Sequence, residues 1–99
     1  MIPDYIPGHE FLNKGIDDLK ANELTEEALL VLIGAPNLRA LVHEIPFYSN
    51  PLEDSPEHLL YAKLEVRLGR SAHSAYNALV RRLVSAEHAL QSLKSRGAV

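Results

Sequence analysis

The feature that most constrains this chain is its C-terminal quarter. Between Ala72 and Arg96 no glycine or proline interrupts it. Apolar residues fall at Ala72, Tyr76, Leu79, Leu83, Ala86, Leu90 and Leu93. Alternating steps of four and three put them on one side of an α-helix, the seam by which a helix packs lengthwise on others. Val80 and Val84 widen that seam into a face. Ser71 stands where an N-cap hydroxyl is wanted. At the α-helical rise such a helix is about 37 Å long. The rest of the chain has to cover its apolar face.

The preceding residues offer shorter elements. Residues 1–8 hold Pro3, Pro7 and Gly8, which predict an extended N-terminal arm. Its Ile2, Tyr5 and Ile6 dock either on the chain's own domain or on a neighbouring subunit. His9 to Asn22 reads as a first helix, with Phe11, Leu12, Ile16 and Leu19 on one face. Gly15 weakens it by about 1 kcal/mol relative to alanine. Thr25 is an expected N-cap, and Leu24 and Leu29 occupy the two positions of a hydrophobic staple. Glu26 and Glu27 follow in the first turn, where negative charge suits the helix dipole.

Ala28 to Ile33 is apolar on every side, a pattern that a short buried strand shares. The cap and the leucines favour a buried helix, ended by Gly34. Pro36 then suits the first turn of a third helix carrying Leu38, Leu41, Val42 and Ile45, which Pro46 stops. Pro46 to Asp54 is a loop. Ser55 and Pro56 start a fourth helix reaching Leu68. It is apolar on two sides: Leu60, Tyr61, Leu64 and Leu68 on one, Leu59, Ala62 and Val66 on the other. Such a helix is usually sandwiched between neighbours. Gly69 ends it, and the short connection makes the last two helices antiparallel. The expected fold is all-α: one domain over residues 1–99, a small bundle of four to five helices with a long C-terminal helix.

Helices of this size span roughly 15–21 Å, so the last helix outruns its companions. An uncovered apolar strip marks an interface, and self-association is expected, most simply as a two-fold homodimer. The candidate interface is Tyr76, Leu79, Leu83, Glu87, Leu90 and Leu93 with Leu59 and Val66. Glu87 sits inside the apolar sector. It is either an edge residue bonded to Gln91 or a buried ion pair that fixes register against a partner's arginine.

The charge distribution supplies a second line. Residues 1–62 carry three basic and eleven acidic groups, a net of −8, and residues 63–99 carry seven and two, a net of +5. The halves neutralise each other, or the basic one meets an acidic protein or nucleic acid. Lys63, Arg67, Arg70, Arg81 and Arg82 are the candidate anion contacts. The Phe47–Tyr48 loop is either an anchor for a partner or a lid on the chain's own core.

Chemistry is sparsely provided. With no cysteine, disulfides and thiolate metal sites are excluded. His9, His43, His58, His73 and His88 form no H-x-x-x-H or E-x-x-H pair. There is no G-x-S-x-G elbow and no glycine-rich phosphate loop. Consecutive carboxylates such as Asp17–Asp18 diverge on a helix. No apolar run approaches the ~20 residues that span a bilayer. The N-terminus lacks the pattern of a signal peptide, so a cytoplasmic location is expected. The leading expectation is a non-catalytic, self-associating interaction module, regulatory or adaptor in role, with no cofactor. The alternatives are a nucleic-acid-associated regulator using the basic half and a metal-binding or catalytic helical bundle.

Overall fold

The computed structural model describes residues 2–42 and 45–97. Three helices, α1 (His9–Lys20), α2 (Glu26–Leu41) and α3 (Pro56–Leu68), precede a long C-terminal helix, α4 (Ala72–Ser95). A 3-10 turn, Gly69–Ser71, joins the last two. No strand occurs among the described residues, so the strand alternative for Ala28–Ile33 falls away.

The break expected at Gly34 and Pro36 is absent, and the second and third expected helices are one. Pro36 removes an intrahelical donor, a sizeable local cost. Burial offsets it: Gly34, Ala35, Leu38 and Leu41 all lie in the core while Pro36 faces outward. Gly34 is therefore a packing position rather than a terminator. A Cβ there would stand 2.8 Å from Leu83 Cδ1 of α4. The helix ends at Leu41 and not at Pro46. Val42 is extended, and Ile45 is buried beyond the helix. His43 and Glu44 lie outside the described residues.

The merged helix is the centre of the molecule. It packs on α1, α3 and α4, and Ala28, Leu29, Leu30 and Val31 are all buried, as an element apolar all round requires. Against α1 the approach is closest at Gly15. A Cβ at that position would meet the Glu27 carbonyl group and Val31 Cγ2 at 2.6 Å. Gly15 permits that contact, a role its propensity cost does not reveal.

Local signals place the other elements. The Thr25 hydroxyl accepts from the Ala28 N–H at 3.1 Å and donates to Asp18 Oδ2 at 2.6 Å. Ser55 accepts from the His58 N–H at 3.2 Å. Gly69, at φ +57°, closes α3. Ser71 is a correction: it ends the 3-10 turn in helical conformation, and its side chain makes no capping bond. The arm is not extended as expected: turns closed by the Ile6 N–H on the Pro3 carbonyl and the His9 N–H on the Ile6 carbonyl, both at 3.1 Å, fold it onto its own chain, with Ile2 and Ile6 in the core. Asn13 clamps it, accepting from the Ile2 N–H and donating to the Ile2 carbonyl, both at 2.9 Å.

The long helix is unbroken over 24 residues. Its seam is better covered than the element lengths imply. Ala72, Leu83, Ala86 and Leu90 are buried, and Tyr76, Leu79 and Leu93 are half-buried against the same core. The merged α2 supplies the extra cover. At the far end Lys94 Nζ donates to the Ala40 carbonyl at 2.5 Å, satisfying one of the acceptors that a helix C-terminus leaves free.

Candidate interaction surfaces

Leu83 and Leu90 are occupied in the chain's own core, and Leu59, Tyr76, Leu79 and Leu93 are half-buried beside it. Val66 differs: it is 91% exposed at mid-helix on α3. Leu60 and Leu64 face the core; of the second apolar side, Leu59 is half-buried against that core, and Ala62 and Val66 are exposed. The sandwich expected for this helix is thus half complete within one chain. By helical geometry, Glu65 lies along one edge of that outward strip and Lys63 along the other.

Glu87 is half-buried, and its Oε2 has neither solvent nor a hydrogen-bond partner among the described residues. The bond expected to Gln91 does not form. Arg39 Nε is in the same condition. The rest of the Arg39 guanidinium is engaged: Nη2 donates to the Pro46 carbonyl at 3.1 Å, and the group sits 3.8 Å from the centre of the Phe47 ring. Of the loop aromatics, Tyr48 is packed on the core as a lid residue, and Phe47 stays 76% exposed under that cation–π contact.

The five basic candidates separate. Arg67 reaches across to α2 and holds Glu26 with two bonds, Nε to Oε2 at 2.8 Å and Nη2 to Oε1 at 2.9 Å. These bonds keep the Glu26 carboxyl below the ordinary carboxylate range and raise the Arg67 guanidinium. The acidic and basic halves therefore do neutralise each other at this point. Lys63, Arg70, Arg81 and Arg82 are exposed, with no carboxylate at ion-pair distance among the described residues.

Arg81 and Arg82 border a feature that no sequence motif announces. Helices α1 and α4 both pack on α2 but scarcely touch each other. A trough of about 360 Å³ remains there, lined by Phe11 of α1, Glu26, Glu27 and Leu30 of α2, Arg67 of α3, and Ala75, Ala78, Leu79 and Arg82 of α4. Past Phe11 and Arg82 it opens into a cleft of about 660 Å³ between the arm and α4, where Tyr5, Arg81 and Ser85 meet. Asp4 and Glu10 stand on the arm side of the same cleft.

No family model, no curated protein and no solved structure matches this chain. Its function has to be argued from these surfaces. On the α3–α4 hairpin, Tyr61 packs against Tyr76 with ring centres 5.6 Å apart and against His73 at 6.4 Å. Burial, and secondarily the Glu57 charge, raise the Tyr76 phenol above its ordinary value. His73 is bonded to Asn77 and His58 to Asp54. Among the described residues no three His, Asp or Glu side chains converge on a point where a metal ion could sit. No helix among them is long and apolar enough to cross a membrane.

Proposed function

We propose that this chain is a non-catalytic, self-associating interaction module of the cytoplasm, working as a two-fold dimer whose contact is centred on the outward side of α3. The observation that carries this reading is the second apolar strip, with Val66 at 91% exposure. A β-branched residue at an exposed mid-helix position weakens the helix slightly and gains nothing there from burial. A neighbouring chain would supply that burial. The strip also carries both signs of charge, Glu65 on one edge and Lys63 on the other, so a second copy offers a match for each.

Gel filtration with light scattering tests this directly. The expected species is a dimer, twice the 11.0 kDa chain mass, at micromolar concentration. Val66→Lys, which changes no buried contact, is expected to return it to the monomer. A wild-type chain that stays at 11.0 kDa overturns the proposal. The nucleic-acid alternative is weakened by the Glu26–Arg67 pair, which takes one cation out of the basic stripe and sets a carboxylate beside it.

A further inference from the structure

We infer that the second copy seats its own α3 on the outward strip of α3 in the opposite direction, about a two-fold axis at Ala62, with the acidic entry of each helix against the basic exit of the other. The inference rests on the dimer reading and adds the direction of the contact, the residues that set it and its dependence on salt. Three observations carry it.

The first is the strip itself. Leu59, Ala62 and Val66 follow at three-four spacing, the seam along which two helices pack. Ala62, exposed at the centre, carries only a methyl group, so a second helix can come close there. Leu59 and Val66 stand about one turn on either side of it. An axis at Ala62 with the helices antiparallel therefore brings Leu59 of each chain beside Val66 of the other. Val66 gains in this way the burial that its own chain does not provide.

The second is charge, which decides the direction. Glu53, Asp54 and Glu57 are exposed at the entry to α3, and Arg70 is exposed in the 3-10 turn at its exit. Each end suits the dipole of its own helix. Yet Glu53, Glu57 and Arg70 have no ion-pair partner among the described residues. The helix is about 20 Å long, so in a parallel pair acids would lie against acids and the bases would stand beyond screening distance from them. In an antiparallel pair each acidic end meets a basic end, twice over by symmetry. Arg70 stands as far past Ala62 as Asp54 stands before it. Arg70 of one chain thus falls close to the level of Asp54 in the other, with Glu53 and Glu57 flanking that point.

The third concerns the edges of the seam, which by this symmetry each face their own copy. On the first edge Lys63 and Arg67 share a shallow recess with Glu26 and Glu27 of α2. That edge carries both signs and can face itself without net repulsion. On the second edge Glu65 lies just past the axis and His58 just before it. Each Glu65 is therefore set beside the other chain's His58, and about 9 Å along the helix from the other Glu65.

The test is sedimentation equilibrium of the whole chain and its charge variants, which gives the dimer dissociation constant. Glu53→Lys with Glu57→Lys sets base against base at both ends and should weaken the dimer by about tenfold or more. Arg70→Glu, which sets acid against acid, should weaken it too. All three changes in one chain should recover much of the wild-type affinity, because both ends are then reversed together. Added salt should loosen the wild-type dimer. Direction is read separately, in a chain that has no cysteine of its own. His58→Cys mixed with Val66→Cys should be joined by a short bismaleimide faster than either variant alone, and circular dichroism checks that every variant keeps its helices. A dimer indifferent to the charge reversals, not recovered by the combined variant, or joined faster within each single cysteine variant overturns the inference and leaves the dimer reading standing. A wild-type chain that stays monomeric overturns both.

Discussion

Two seams of the molecule cross at a glycine, and they are built to different tolerances. At α1–α2 the neighbour of Gly15 is backbone, the Glu27 carbonyl, with Val31 Cγ2 beside it. At α2–α4 the neighbour of Gly34 is the far end of a side chain, Leu83 Cδ1. Backbone inside a helix cannot step aside without moving the helix, whereas a leucine end can rotate. The first seam also carries polar closure: Asp18 accepts from Thr25 and, at 2.8 Å, from Lys14. The second is tied by Lys94 at its far end and by packing elsewhere. The acidic half of the chain is thus locked into a rigid pair of helices. The basic half rests on that pair through adjustable contacts and keeps its open faces.

Alanine at position 15 is the strongest attack on this contrast. Gly15→Ala should destabilise by about 3 kcal/mol, the upper part of the range for overpacked cores, despite the better helix propensity of alanine. Urea unfolding followed by circular dichroism measures it, and a neutral result would mean that α1 and α2 can separate freely. Gly34→Ala is the matched test at the other seam. The gain in propensity, about 1 kcal/mol, opposes the crowding of Leu83, so the net change should stay within about 1 kcal/mol of wild type. A loss as large as at Gly15 would erase the distinction.

The smallest effect is in the acid limb of stability. Asp18, held by Lys14 and Thr25, and Glu26, held by Arg67, both titrate below the ordinary carboxylate range in the folded chain. Each binds its proton more weakly folded than unfolded. Their contributions are present above the unfolded carboxylate range and fade as pH falls through the folded one. Glu26→Gln and Asp18→Asn should each flatten the loss of stability below about pH 4, measured by thermal unfolding across pH. An unchanged slope would show that neither ion pair survives in solution.

Much of this architecture was legible in the residues. The caps at Thr25 and Ser55, the stop at Gly69 and the unbroken last helix are local signals, and local signals survive folding. The misreading at Gly34 and Pro36 has a definite cause. Their usual meaning as helix breakers assumes that nothing else holds the segment, and here the segment is held on three sides by α1, α3 and α4. That error propagated: two short helices looked unable to cover α4, whereas one helix of 16 residues covers much of it. The outward side of α3 was visible in the periodicity, but which of its two apolar sides would stay uncovered was not. The α1–α4 trough left no trace in the sequence. It arises because two helices share a third without meeting, and no spacing within either helix encodes that.

The bond from Lys94 to the Ala40 carbonyl has a kinetic corollary. It links groups 54 residues apart, so the last turn of α2 obtains that acceptor's partner only after nearly the whole of α4 has wound and docked. Closing so long a span costs loop entropy that earlier contacts have to cover first. Amide protons at the two joined helix ends should therefore become protected against exchange together and late, well after those around Gly15.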